Sequence, residues 1–113
     1  MIEIRNLTRK RVGTKIFKKL YSKILSKKFE LSLVIAPPLL MRSLNKKYRG
    51  KNKPANTLSF LLESGKGEIF LNSGERNLPR LFVHSALHLL GFNHGNKKQA
   101  KIMGRAELKI LKR

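Results

Sequence analysis

All three histidines of the chain fall within one short segment, HSALHLLGFNH, running from His84 to His94. That clustering constrains how the surrounding chain can fold. His84 and His88 are four apart, so a helix places them on one face, one turn from each other. Gly91 tolerates positive φ and predicts that the helix ends there in a turn, from which the chain can swing His94 back toward the other two. Three imidazoles around one point suit Zn2+ or a similar borderline divalent ion, about one per chain. With three protein ligands the fourth position is open to water, which is the catalytic arrangement and not the closed structural one. The interleaved Leu87, Leu89 and Leu90 read as core residues without chemistry.

Composition narrows the chemistry around that motif. A chain of 113 residues supports a single domain, 1–113, with no room for a second core. Lys and Arg number 26 against 6 acids, a net charge of +20, so the expected partner is a polyanion, nucleic acid ahead of a membrane surface. Every acid is Glu; the absence of Asp argues against Asp-built two-metal phosphodiester centres and EF-hand loops. The absence of Cys excludes disulfides, thiolate zinc sites, iron–sulfur clusters and Cys nucleophiles, and leaves the cytoplasm as the default compartment. Met1-Ile2-Glu3-Ile4-Arg5 has no apolar leader character, and the stretch Leu33 to Met41 is broken by Pro37-Pro38 and too short to span a bilayer.

Hydrophobic periodicity predicts strands at 2–7, 30–36, 57–62 and 68–71, and helices at 12–28, 39–48, 81–90 and 97–111. Ser64-Gly65-Lys66-Gly67 is a hairpin signal between the third and fourth strands, Asn77 a helix N-cap, and 49–56 a polar loop. The fold class expected is α+β: a small mixed four-stranded sheet packed with helices, with the three-His motif on a buried helix and the turn after it. The lysines of the first helix, Lys15, Lys18, Lys19, Lys23 and Lys27, read either as an RNA-backbone contact or as the solvated side of an amphipathic helix.

The spacing HxxxHxxGxxH also occurs in metzincin peptidases, where Glu follows the first His as general base. Here that position is Ser85, a poor base, which disfavours a peptidase. A non-catalytic RNA- or ribosome-binding module with a structural zinc is a further alternative.

The segment 84–94 resembles the HGxLHLxGYDH signature of the YbeY endoribonucleases, the bacterial rRNA maturation factors. A second stretch, LNKKYRGKNKPANTLSF at 44–60, is similar to that family's LNxxYRxxxxxTNVLSF, and Met103 and Glu107 fit the M-x-x-x-E spacing of its final helix. The chain departs from the pattern at Ser85, where the family has Gly, at Asn93, where it has an acid, at Ala55 and at Glu68. The resemblance implies a zinc-dependent hydrolase of single-stranded RNA, acting in rRNA maturation at the 3′ end of small-subunit (16S) rRNA and associated with ribosomal particles, with DNA not expected as substrate. It implies Arg49 as a catalytic phosphate-gripping residue beside His84, His88 and His94. Asn56 and Ser59 are candidate substrate contacts, with turn chemistry as the competing explanation, and Lys46, Lys47 and Lys51 are candidate backbone contacts. It leaves the oligomeric state open.

Overall fold

The structure is a computed structural model describing residues 1–112. Its elements run β1 (Ile2–Asn6), α1 (Lys15–Ile24), β2 (Glu30–Ala36), α2 (Pro38–Arg49), β3 (Thr57–Glu63), β4 (Lys66–Asn72), α3 (Leu78–Leu89) and α4 (Lys97–Leu111). The strands form one sheet in the order β1-β2-β4-β3, parallel except for the antiparallel β3–β4 hairpin. This is the mixed four-stranded α+β architecture expected from the pattern.

The period of two along each strand sorts the side chains onto two faces. Leu31, Leu33 and Ile35 of β2, with Ile69 and Leu71 of β4, point into a core built with α1, α3 and α4, where Phe17, Phe82, Val83 and Met103 join them. The opposite face carries Val34, Ala36 and Leu58, closed by Met41 of α2 and by Ala55. Leu33, Ile35, Ile69, Leu71 and Phe82 have no exposed surface, so each contributes roughly 1.5–3 kcal/mol by burial. Helix α3 lies between the sheet and the two outer helices of the first core, which is why its apolar face is continuous and its histidines must emerge at one edge.

Four local expectations need correction. The first helix spans only Lys15–Ile24 and not 12–28, because Leu25 turns extended and buries. The Tyr21 hydroxyl then donates to the Phe29 carbonyl, holding the reversal into β2. Arg49 ends α2 and is not in the following loop; Gly50, at φ 69°, caps that helix in the left-handed region. Gly67 lies inside β4 and not in the hairpin turn. A side chain there would stand 3.1 Å from Leu89 of α3, so the glycine is needed for close approach of helix to sheet. Leu90 is 49% exposed, unlike the buried Leu87 and Leu89, because the helix has already ended at Leu89.

Candidate metal centre

Asn77 opens α3, its side-chain oxygen accepting from the Arg80 N–H, and Leu78, Phe82, Val83, Ala86, Leu87 and Leu89 turn inward. His84 and His88 therefore fall on the remaining stripe. The helix closes in a Schellman turn: Gly91 has φ 97°, its N–H donates to the His88 carbonyl, and the Phe92 N–H donates to Leu87. This turn also exposes the Phe92 carbonyl to the ring of His88, 2.9 Å from Nδ1. Two residues on, the Asn93 side chain accepts from the Gly95 N–H and Asn96 caps α4 through the Gln99 N–H. His94 is thereby held in a turn anchored on both sides, and its ring centre lies 5.3 Å from that of His84 and 4.9 Å from that of His88.

The tautomers follow from the partners. A carbonyl can only accept, so His88 carries its proton on Nδ1. His84 Nδ1 lies 2.8 Å from the Glu107 carboxylate, which likewise accepts. Both Nε2 atoms then present lone pairs, and they face each other at 3.2 Å. With both rings neutral the two lone pairs repel, and a shared cation between them relieves that repulsion. Two nitrogens on one tetrahedral ion with bonds of about 2.05 Å stand roughly 3.3 Å apart. One ligand nitrogen from each of His84, His88 and His94 falls within 4.8 Å of the others, so the three fit a single metal ion. Burial holds the His88 imidazole below its usual range, and the neighbouring His84 and His94 act in the same direction, against the Phe92 carbonyl and Glu107. His88 is thus kept in the neutral form that a ligand requires.

The histidines sit in a cleft. One lobe, about 660 Å³, is lined by Arg49, Asn56, Ser59, Leu61, His88 and His94 among others. The structure thus brings Arg49, Asn56 and Ser59 to the same cavity as the three histidines. Lys51 instead borders a neighbouring polar pocket that shares Arg49 and Asn56. Lys46 and Lys47 are exposed on α2 and do not line the lobes beside the histidines, the Lys47 ammonium lying 5.2 Å from the centre of the Tyr48 ring.

Glu107 is the site residue that sequence spacing alone did not assign. Its signal was the M-x-x-x-E pattern of the last helix: Met103 is buried and Glu107 lies one turn further along the same face. Ser85 does not substitute for the peptidase base. It is 1% exposed, and its hydroxyl pairs with that of Thr57, which also bonds the Phe70 carbonyl. Since the Thr57 proton goes to that carbonyl, Ser85 is the donor to Thr57, tying α3 to the sheet beneath the cleft.

Fold and site together define a small α+β protein with a cluster of three histidines placed to hold a metal ion. The family model for Endoribonuclease YbeY matches residues 2–75 and 66–113. The chain is 34% identical over 124 residues to an Endoribonuclease YbeY of Buchnera aphidicola subsp. Schizaphis graminum, covering 85% of this chain and 75% of that protein. It is 35% identical over 88 residues to one of Rubrobacter xylanophilus, covering 73% and 65%. The solution structure of TM1509 from Thermotoga maritima shares the fold with a TM-score of 0.58 at 18% identity, covering 99% of this chain and 90% of that one. The chain belongs to the YbeY endoribonuclease family.

Proposed function

We propose that the chain, acting as one domain over residues 1–113, is a zinc-dependent endoribonuclease that cuts single-stranded RNA during rRNA maturation, working on ribosomal particles in the cytoplasm. The observation that carries the reading is the convergence of His84, His88 and His94, with the Nε2 atoms of the first two 3.2 Å apart, on a cleft that also holds Arg49. The relatives named Endoribonuclease YbeY and the +20 charge support RNA as the substrate. Among the described residues no helix is long and apolar enough to cross a membrane.

When bound to the three histidines, zinc supplies Lewis acidity toward a phosphoryl oxygen and an open ligand position. The chain's own residues do the rest. Glu107 holds His84 with its Nε2 lone pair turned inward, and the Phe92 carbonyl does the same for His88. Arg49 grips a non-bridging phosphate oxygen with its planar fork and stabilises charge that develops there. Asn56 and Ser59 line the path of the strand, and Lys46, Lys47 and Lys51 add charge outside it.

Single-turnover cleavage of single-stranded rRNA fragments by zinc-loaded protein tests this. His88→Ala should abolish cleavage. Arg49→Lys keeps the charge but loses the fork, so RNA affinity should hold while the rate falls roughly 10- to 1000-fold. Zinc-loaded wild type that cuts no RNA refutes the enzyme reading, and equal rates for wild type and Arg49→Lys remove Arg49 from the site.

A further inference from the structure

The cleft does not stop at the metal centre. Beyond His84 and His94 it continues into a second lobe of about 360 Å³, which shares Asn56 and Thr57 with the first and adds Arg80, Ala100, Gly104 and Glu107. We infer that this second lobe is a subsite for the sugar–phosphate backbone of the RNA flanking the cut, with Arg80 as its phosphate contact and Gly104 keeping its wall low. The inference rests on the endoribonuclease reading and extends it: the strand crosses the metal centre from the Arg49 lobe to the Arg80 lobe.

Three observations carry it. Arg80, His84 and His88 are spaced at successive fours along α3, so they share one stripe and Arg80 lies one turn beyond the histidines toward the helix N-terminus. Helical side chains lean toward that end, away from the metal and along the second lobe. Second, Arg80 is exposed and makes no ion pair among the described residues. Glu107, the carboxylate of that lobe, is already engaged by His84 at the metal end. A free guanidinium on a concave wall, in line with the metal, is a phosphate site. Third, Gly104 sits inside α4, where glycine weakens a helix. Its φ is not positive, and a Cβ there would meet nothing within 4 Å. Neither backbone conformation nor packing explains the glycine, whereas an occupant of the lobe it borders does.

Binding and cleavage are read separately. Chelator-treated, metal-free protein is titrated with a labelled single-stranded RNA oligonucleotide across a range of salt, so that cleavage plays no part. Arg80→Gln should reduce the slope of log affinity against log salt by about 0.7, one phosphate contact. Lys109→Gln, exposed on α4 and outside both lobes, should leave the slope unchanged. Gly104→Leu alters no charge, yet should weaken binding by about 5-fold or more through steric filling. Gly104→Ala, which favours the helix and so guards against misfolding, should fall between. A diffuse basic surface is indifferent to the Gly104 changes, so Gly104→Leu and Arg80→Gln binding no differently from Lys109→Gln overturns the proposal. The cleavage arm uses zinc-loaded protein. Wild type that cuts nothing, with both variants losing affinity, removes the endoribonuclease reading and leaves the groove as an RNA site. Wild type that cuts, with variants that bind and cut as wild type does, removes the groove alone.

Discussion

Removing the Glu107 carboxylate should weaken metal binding without touching a ligand. Glu107 reaches His84 Nδ1 at 2.8 Å, with the two side chains 15% and 32% exposed. The bond fixes the ring so that Nε2 points at His88, and the negative charge makes that nitrogen a better donor to a cation. Losses of such outer partners typically cost about 10- to 100-fold in metal affinity, or roughly 1.4–2.7 kcal/mol. Glu107→Gln keeps an acceptor for Nδ1–H and loses only the charge, so it should fall near the lower figure. Glu107→Ala loses both and should approach the upper one, tempered because His84 is one-third exposed and water can replace part of the bond. Competition titration of zinc against a chromogenic chelator gives the affinities directly, and circular dichroism checks that α4 persists, since Glu107 is not among its core contacts. Zinc affinity within twofold of wild type for Glu107→Ala would refute the argument that this carboxylate orients the centre.

In metal-free protein, stability should fall on acidification. The His88 pKa is lowered in the fold, first by burial and then by the neighbouring imidazoles; below the usual imidazole value near 6.5 the unfolded chain binds a proton that the folded chain resists, so the contribution is intact above that pH and lost as pH falls through the lowered folded value. Thermal melts in chelator from neutral pH to pH 5 should show this, and a flat melting temperature would contradict it. Gly67→Ala should cost about 1–3 kcal/mol in urea denaturation, because its Cβ meets Leu89 at 3.1 Å and the Phe60 carbonyl at 3.2 Å; an unchanged midpoint would show that α3 can shift freely. Asn93→Asp should leave fold and zinc stoichiometry intact, since either side chain accepts from Gly95 N–H, whereas Asn93→Ala should lose about 1 kcal/mol; altered stoichiometry in Asn93→Asp would mean that the amide does more than close the turn.

The convergence of the three histidines was legible in the sequence because helical spacing and a glycine stop are local rules. Apolar, β-branched runs bounded by turn residues gave the four strands, and Asn77 gave the start of α3. What failed to show was long-range. Glu107 lies 23 residues from His84, and nothing local in α4 says that its single carboxylate folds back on a histidine of α3. Gly67 was read as turn chemistry because its requirement is set by Leu89, a residue far along the chain. Leu25 left the helical pattern because a buried position off the helix axis suited it better than another turn of α1.

The two departures near the histidines have physical explanations of different kinds. At Asn93 the side chain serves the backbone, and an amide oxygen accepts from Gly95 N–H as a carboxylate oxygen does. At Ser85 the added hydroxyl would be a cost in a buried position were it not matched by Thr57. Neither change places a new charge at the centre. The charge there is set instead by where the scarce acids lie. Glu3, Glu30, Glu63 and Glu68 are on the strands and Glu75 precedes α3, so among the described residues Glu107 is the one carboxylate lining either lobe beside the histidines. Its charge is directed toward His84, while Arg49 and Arg80 stand at the two lobes with no ion pair among the described residues. A cleft so arranged remains positive where a phosphodiester backbone would lie, and concentrates its single negative group where a metal ion gains from it.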